Sequence, residues 1–312
     1  MERKRTPVIL DGDPGHDDAI MITMANGSSL FDIKLLSSVN GNQTIEKTTL
    51  NMLKIANLLS IDAPVAKGAI RPMKSPVIPA GNWHGKSGLD GYRLSKGNKK
   101  IADKPSYEMM YDILSKSDEQ VIIIATGPLT NLGILLSVHP DIKDKIKLIS
   151  IMGGGILHGN WNPASEYNIL VDPEAAKIVF DSGIKILVAP LDATEKAIIK
   201  PSDFPKIKEV NNHVSDVVLA WLKFFYKHPM EIGYEGAPVH DPLAFLAISH
   251  PEIFTIEKMK IDVELHGKYT RGALVYDLRY SREEDFNSEV LMDIDRERYV
   301  DLLIEYLHFY DR

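Results

Sequence analysis

The 312-residue chain contains no cysteine, which excludes disulfide bonds and metal sites built on thiolates. It also lacks an apolar run long enough to cross a membrane, and the short apolar stretch near its basic start does not resemble a signal-peptide core. Acidic residues outnumber basic ones, 43 to 36, and no basic cluster offers a surface for DNA or RNA. We therefore expect a cytoplasmic protein that binds neither a membrane nor a nucleic acid polymer.

Short apolar segments alternate with segments of helical periodicity. The apolar segments predict strands that are covered on both faces, at 7–12, 33–39, 63–68, 120–126, 146–152 and 185–191. The periodic segments predict helices at 17–26, 44–59, 106–117, 129–138, 173–181 and 296–309. This alternation predicts an α/β fold in one domain over residues 1–312, an open, doubly wound, mostly parallel sheet flanked by helices, with a Rossmann-like core.

Two further segments of the chain have their own signatures. An antiparallel pair of strands is predicted within 258–267 and 272–280, joined by a turn. The segment 71–104 is rich in proline, glycine and lysine, and it predicts a long surface loop. Loops of that length tend to be functional or mobile.

The segment VILDGDPGHDDAI (8–20) places four aspartates, Asp11, Asp13, Asp17 and Asp18, at the end of the first predicted strand. Carboxylates crowded into one pocket repel each other, and a bound divalent cation removes that repulsion. Oxygen ligands without cysteine favour Ca2+ or Mg2+ over Zn2+. The alternative is that Asp17 or Asp18 only caps the following helix, since a helix N-terminus attracts negative charge.

Other polar residues follow the remaining predicted strands. Ligands bind beyond the carboxyl ends of the strands in open α/β sheets, so these residues are expected to converge on one edge. They are Asn40, Asn42, Thr126, the glycine-rich segment 152–155 and Asp192.

The segment GGGILHGNWNPASEYN (153–168) is rich in polar side chains without a nearby cation. Its glycines do not have the spacing of a dinucleotide-binding loop, because His158 stands where the third glycine is required. Its amides and carboxylate, Asn160, Asn162, Glu166 and Asn168, suit a ligand with several hydroxyl groups, such as a sugar. The alternative is a polar loop with Asx turns.

A third motif, VHDP (239–242), precedes an apolar helix. Asp241 is placed to be its N-cap, with Pro242 at the first helical position, and its carboxylate can also meet a metal. His240 is either a structural histidine or an acid that works near neutral pH. Upstream, Tyr226, His228, Glu231 and Tyr234 are candidates for a ligand pocket or for an ordinary helix end.

Together these motifs resemble those of a known family. DGDPGHDDA, GNQT, ATGPLTN, MGGG…GN…EYN…DPEAA and HDP occur in the order and at the spacings typical of nucleoside hydrolases, most closely the inosine–uridine-preferring branch. The resemblance runs from about residue 7 to the end of the chain. It implies the nucleoside hydrolase fold, hydrolysis of ribonucleosides to ribose and free nucleobase, one Ca2+ per subunit, and a homodimer or homotetramer.

The resemblance also implies a role for each matching residue. Asp13, Asp18, the backbone carbonyl of Thr126 and Asp241 would bind Ca2+, and Asp13 would also be the general base. Asp17, Asn42, Glu166 and Asn168 would bind the ribose hydroxyls, with Asn160 and Met152 near the 5′ end. His240 would protonate the leaving nucleobase, His84 would line the nucleobase pocket, and Asp11 would be a supporting carboxylate.

Two other functions fit parts of this pattern. A metal-dependent phosphatase of the haloacid-dehalogenase type also has a first strand that ends in Asp-x-Asp. Here, however, Pro14 and Gly15 stand where that family has threonine or valine. A protein that binds nucleosides without turnover is the other alternative. The sequence leaves the choice between purine and pyrimidine nucleosides open.

Overall fold

A computed structural model describes residues 5–78, 80, 83–231, 233–277 and 285–311, except for the side chains of His228 and Pro229. Its strands are β1 (Thr6–Gly12), β2 (Phe31–Ser38), β3 (Val65–Lys67), β4 (Val121–Ala125), β5 (Ile146–Met152), β6 (Ile186–Ala189), β7 (Ile198–Ile199), β8 (Ala237–Pro238), β9 (Phe254–Met259), β10 (Ile261–Val263), β11 (Leu274–Tyr276) and β12 (Ser288–Ile294). Eight of them form one sheet in the order β3-β2-β1-β4-β5-β6-β12-β9.

The central sheet is parallel from β3 to β12, and only the edge strand β9 runs antiparallel to its neighbour. The predicted open, mostly parallel sheet is therefore confirmed, and each of the six predicted strands is present. Two strands of the central sheet, β9 and β12, were not predicted, and neither was the short pair β7 and β8. β9 carries alternating exposed and half-buried residues because it closes the edge of the sheet, so it lacks the continuous apolar run used to recognise strands.

Helices connect the strands. They are α1 (His16–Gly27), α2 (Ile45–Leu58), α3 (Ser106–Lys116), α4 (Thr130–Val138), α5 (Tyr167–Val171), α6 (Pro173–Phe180), α7 (Leu191–Thr194), α8 (Phe204–Glu209), α9 (His213–Phe225), α10 (Lys227–Glu231), α11 (Pro242–Ser249) and α12 (Arg296–Leu307). The six predicted helices are all present with ends shifted by one or two residues. Among the helices that the structure describes, none combines the length and apolar composition needed to cross a bilayer.

The sheet separates two hydrophobic layers. Helices α1, α2, α9, α11 and α12 cover one face, and α3, α4 and α6 cover the other. Alternate residues of β1 pack into different layers. Val8 and Leu10 belong to the first layer, and Ile9 belongs to the second. Burial on both faces explains why the central strands are almost continuously apolar.

The segment 71–104 departs from the prediction of a surface loop. His84 and Leu89 are buried, and His84 stacks on Phe225 with ring centroids 5.3 Å apart. The carboxylate of Asp90 holds the turn by accepting hydrogen bonds from the backbone nitrogens of Lys86 and Ser87. This part of the segment is therefore an inner wall of the molecule, while several residues on either side of it are exposed.

The predicted antiparallel pair near the C-terminus is confirmed in its described part. Strand β10 pairs with β11, so that Val263 lies opposite Leu274. Residues 278–280 of the second predicted strand lie outside the described residues.

Candidate functional site

The carboxyl ends of the parallel strands surround a cavity of about 420 Å³. Cavities of this size bind small molecules. Of the residues that the resemblance assigns to the metal, the ribose or the nucleobase, all except Asp13 and Asp18 line this cavity, namely Asp17, Asn42, His84, Thr126, Met152, Asn160, Glu166, Asn168, His240 and Asp241. Asp11, Asn40, Asn162 and Asp192 are not part of the lining. Asp13 and Asp18 lie directly behind this lining, where they contact Asn42 and Thr126.

Asp13 directly follows β1 and is completely buried. Its Oδ2 accepts a hydrogen bond of 2.6 Å from the backbone nitrogen of Asn42, and its Oδ1 has no hydrogen-bond partner. Burial, followed by the charges of Asp18 and Asp17, raises the pKa of Asp13 well above its ordinary value. Asp13 is thus a buried carboxylate with one oxygen free to accept a proton or to bind a cation.

Asp18 combines the two roles weighed for it from the sequence. Its Oδ2 accepts a 3.0 Å hydrogen bond from the nitrogen of Gly15, which caps the first turn of α1, and its Oδ1 accepts a 2.7 Å hydrogen bond from the Thr126 hydroxyl. Burial, and then the charge of Asp17, raises its pKa to about 7. The helix cap and the acidic site therefore share this one side chain.

Asp241 occupies the N-cap position of α11, with Pro242 first in the helix, as predicted. Its side chain does not cap the helix, however. It lies instead with Asp17 and Asp18, and one carboxylate oxygen from each of the three falls within 4.8 Å of the others. Burial and the charges of Asp17 and Asp18 raise the pKa of Asp241 well above its ordinary value. We call Asp13, Asp17, Asp18 and Asp241 the acidic cluster.

The acidic cluster fits a hard divalent cation. Its four carboxylates are buried, and Oδ1 of Asp13 and of Asp17 lack hydrogen-bond partners. Glycines make room for them, because a Cβ atom on Gly41 would overlap Asp13 and one on Gly12 would overlap Asp18. Oxygen donors at this density, without cysteine and with no lysine in the described lining of the cavity, are the ligands of Ca2+ or Mg2+.

Beside the acidic cluster, the polar residues of the segment 153–168 are held by the backbone. Glu166 caps α5, where its carboxylate accepts hydrogen bonds from the nitrogens of Asn168 and Gly154, both 2.9 Å long. The amide of Asn168 donates to the carbonyls of Thr126 and Met152, both at 3.1 Å. Burial raises the pKa of Glu166 to about 7. These contacts fix a row of polar side chains between β4 and β5.

Two other asparagines of the site have different partners. Asn160 accepts a 3.0 Å hydrogen bond from the nitrogen of Tyr167, and Asn42 donates through its amide to the carbonyl of Asp13 at 3.3 Å. Asn162 forms the Asx turn that the sequence left as an alternative, because its Oδ1 accepts from the nitrogens of Ala164 and Ser165.

Histidines and an aromatic ring form another wall of the cavity. His84 lies against Phe225, and its Nε2 is 4.0 Å from Oδ1 of Asp17. Burial, and then the neighbouring His240, lowers the pKa of His84 to about 4. His240 contacts the Thr194 hydroxyl through Nδ1 at 2.8 Å, and burial lowers its pKa although Asp17 opposes that shift. Burial therefore favours the neutral form of both rings, while the charge of Asp17 favours the protonated form of His240.

Two strand-end aspartates support the site from behind. Asp11 accepts hydrogen bonds from the Ser37 hydroxyl and from the Asn131 amide, the latter 2.7 Å long, and burial raises its pKa to about 6. Asp192 accepts from the nitrogens of Ile156 and Leu157 at 2.6 and 3.1 Å. Asp11 braces β1 against β2 and α4, and Asp192 fixes the loop that follows β5.

Several residues of the cavity were not singled out from the sequence. They are Trp83, His158, Trp161, Tyr167, Glu195 and Phe225. Tyr167 was open to prediction, since it lies between Glu166 and Asn168. Its hydroxyl hydrogen-bonds the carbonyls of Gly41 and Ile78, at 2.7 and 2.6 Å.

Of the candidate pocket residues upstream of His240, one lines the cavity and two do not. Tyr234 lines the cavity, whereas Tyr226 lies edge-on against Phe204, with ring centroids 6.2 Å apart, and is not part of the lining. Glu231 is exposed and also lies outside the lining. The side chain of His228 lies outside the described residues.

Comparison with known proteins agrees with this geometry. Residues 8–301 match the model of a family described as inosine-uridine preferring nucleoside hydrolase. Over 307 residues the chain is 45% identical to the pyrimidine-specific ribonucleoside hydrolase RihA of Escherichia coli O1:K1, which covers 97% of this chain and 99% of that protein.

Solved structures give the same result. A purine-preferring ribonucleoside hydrolase from Gardnerella vaginalis superposes with a TM-score of 0.91 at 26% identity, covering 97% of this chain and 98% of that one. A plant nucleoside hydrolase gives a TM-score of 0.89 at 27% identity, covering 98% and 99%. This chain therefore belongs to the inosine-uridine preferring nucleoside hydrolase family, and it is a ribonucleoside hydrolase, an enzyme that cleaves N-glycosidic bonds.

Proposed function

We propose that this enzyme hydrolyses pyrimidine ribonucleosides, uridine and cytidine, in preference to purine ribonucleosides, with the help of bound Ca2+ and with Asp13 as the general base. The observation that carries the proposal is the acidic cluster, whose buried and partly unpartnered oxygens lie beside a row of fixed amides in one cavity. The pyrimidine preference is supported by the 45% identity to a relative named as pyrimidine-specific.

The residues that would hold Ca2+ are Asp13, Asp18, Asp241 and the backbone carbonyl of Thr126. Their donors are all oxygens, which suits a cation that accepts six to eight of them. When bound, Ca2+ supplies positive charge that binds the ribose hydroxyls and lowers the pKa of the attacking water.

The carboxylates and amides around the cavity act on the ribose. Asp17, Asn42, Glu166 and Asn168 bind its hydroxyls, and Asn160 and Met152 lie near its 5′ end. N-glycosidic cleavage passes through a state with positive charge on the ribose ring, as glycoside hydrolysis does. Fixed negative charge and oriented amide dipoles stabilise that state more than the neutral substrate, which lowers the barrier.

Proton transfers complete the reaction. Asp13 takes a proton from the attacking water as the water oxygen bonds to C1′. The bond between C1′ and the nucleobase nitrogen breaks, and its electron pair leaves with the base. His240 supplies a proton to the departing base, and His84 lies in the wall beside it.

Replacement of Asp13 tests its assignment as base and metal ligand. We expect Asp13→Ala to lower kcat for uridine by a factor of about 1,000 or more, because general base catalysis alone contributes about 10²–10⁴. The assay measures ribose released as reducing sugar. Asp13→Asn keeps the shape of the side chain and should lose nearly as much activity, whereas Asp62→Asn, at an exposed aspartate, should lose none. Retention of more than a tenth of the activity by Asp13→Asn would contradict the role.

Metal binding can be measured apart from activity, by thermal unfolding. Ca2+ at about 100 times its Kd should stabilise the wild-type protein by about 2.7 kcal/mol and raise its Tm accordingly. Asp241→Asn should raise Tm in chelator, because it removes one of four repelling charges, and it should reduce or abolish the rise caused by Ca2+. Asp62→Asn is the matched control. Equal Ca2+ responses of Asp241→Asn and wild type would remove Asp241 from the ligand set.

The role of His240 is tested by changing the leaving group. His240→Ala should lower kcat/KM for uridine by a factor of about 100 or more, the size typical of a general acid. The p-nitrophenyl β-D-riboside has a leaving group that needs no proton. The kcat/KM of His240→Ala for this riboside should therefore fall by less than about fivefold. Losses of equal size on both substrates would show that His240 is not the acid.

A further inference from the structure

One group of polar side chains in the cavity has no part in the proposed metal or ribose contacts. The hydroxyl of Tyr234 donates a hydrogen bond of 3.3 Å to Oε1 of Glu195, and Nε2 of His158 lies 3.4 Å from Oε2 of the same carboxylate. All three side chains line the cavity. We call His158, Glu195 and Tyr234 the rim network, because the His158 side chain is 46% exposed and that of Glu195 is 26% exposed.

The rim network is held beside His240. Glu195 directly follows Thr194, whose hydroxyl contacts the imidazole of His240 at 2.8 Å. Tyr234 precedes β8, which pairs with β7 and leads directly into His240. The ion pair between Lys200 and Glu235, 2.8 Å long, ties the residue after Tyr234 to the end of β7. The network is thus the part of the wall that continues outward from His240.

The direction of the hydrogen bonds decides what this wall can recognise. A carboxylate only accepts hydrogen bonds, so the single proton of the Tyr234 hydroxyl is used by Glu195. The lone pairs of the hydroxyl oxygen remain as acceptors, and the remaining lone pairs of the carboxylate are acceptors too. Burial, and then the charge of Glu195, raises the pKa of Tyr234, so the hydroxyl keeps its proton. The wall therefore offers acceptors and selects a ligand group that carries N–H.

We propose that the rim network binds the outer N–H group of the nucleobase, which is N3–H in uracil and the 4-amino group in cytosine, through the Tyr234 hydroxyl oxygen oriented by Glu195. The proposal rests on the proposed function, which puts the leaving base beside His240. In a pyrimidine nucleoside these groups lie on the side of the ring away from the ribose. They would point outward when the ribose occupies the acidic end of the cavity.

The test compares Tyr234→Phe with wild type on three substrates: uridine, 3-methyluridine, which lacks N3–H, and the p-nitrophenyl riboside, which has no N–H at all. Wild type should cleave 3-methyluridine with a kcat/KM at least about tenfold below that of uridine, since a site built around a hydrogen bond rejects an analogue that lacks the donor. Tyr234→Phe should lose about tenfold on uridine, keep the riboside within about twofold, and no longer separate uridine from 3-methyluridine.

Two further variants make the result specific. Tyr226→Phe removes a hydroxyl from a tyrosine outside the cavity and should leave all three substrates unchanged. Glu195→Ala removes the carboxylate that accepts the hydrogen bond from Tyr234, so the hydroxyl proton is no longer held away from the ligand. This variant should therefore lose as much kcat/KM for uridine as Tyr234→Phe does, and it should keep its activity on the riboside.

The possible results separate the two proposals. Equal losses on uridine and the riboside in Tyr234→Phe, or no loss on uridine, would overturn the assignment of the rim network. If the wild-type protein released ribose from neither uridine nor the riboside, the proposed function would be overturned instead. The wild-type protein is therefore assayed before any variant is made.

Discussion

Repulsion between four buried carboxylates is the constraint on which the rest of the site depends. Asp13 lies in the turn between β1 and α1, Asp17 and Asp18 lie in the first turn of α1, and Asp241 precedes α11. The fold brings them together by ending β1 in glycine and by turning the N-terminus of α1 toward the cluster, where its free amides favour negative charge. Burial first, and then the repulsion between the carboxylates, raises the pKa values of Asp13, Asp18 and Asp241.

The same constraint explains the division of the cavity. Residues around the acidic cluster are held by backbone contacts, as Glu166 and Asn168 are, so in the proposed function they would meet the ribose with little reorganisation. The other wall is made of the rings of His84, Phe225 and His240 and of the rim network, whose side chains are partly exposed. Recognition of ribose is therefore expected to be rigid, and selection among nucleobases is expected to lie in the outer wall.

Much of this arrangement was predictable because parallel strands end at a common edge. The apolar runs located the six central strands, and the polar residues that follow them, Asp13, Asn42 and Thr126 among them, meet at the cavity. The resemblance of the motifs to a family then supplied the roles that remain proposals here.

The rest depends on contacts between distant parts of the chain. Glu195 and Tyr234 are 39 residues apart, and nothing local to either indicates their hydrogen bond. The burial of His84 follows from stacking on Phe225, far along the sequence. Asp241 was correctly placed at the start of a helix, but the local pattern alone did not show that its carboxylate turns to the cluster instead of capping the helix.

The measurement that tests the central claim most directly is release of ribose from uridine by the wild-type protein, before and after metal is removed with a strong chelator. The account predicts release that disappears on chelation and returns when Ca2+ is added back. Undiminished release after complete removal of metal would contradict it, because the acidic cluster would then work without a cation.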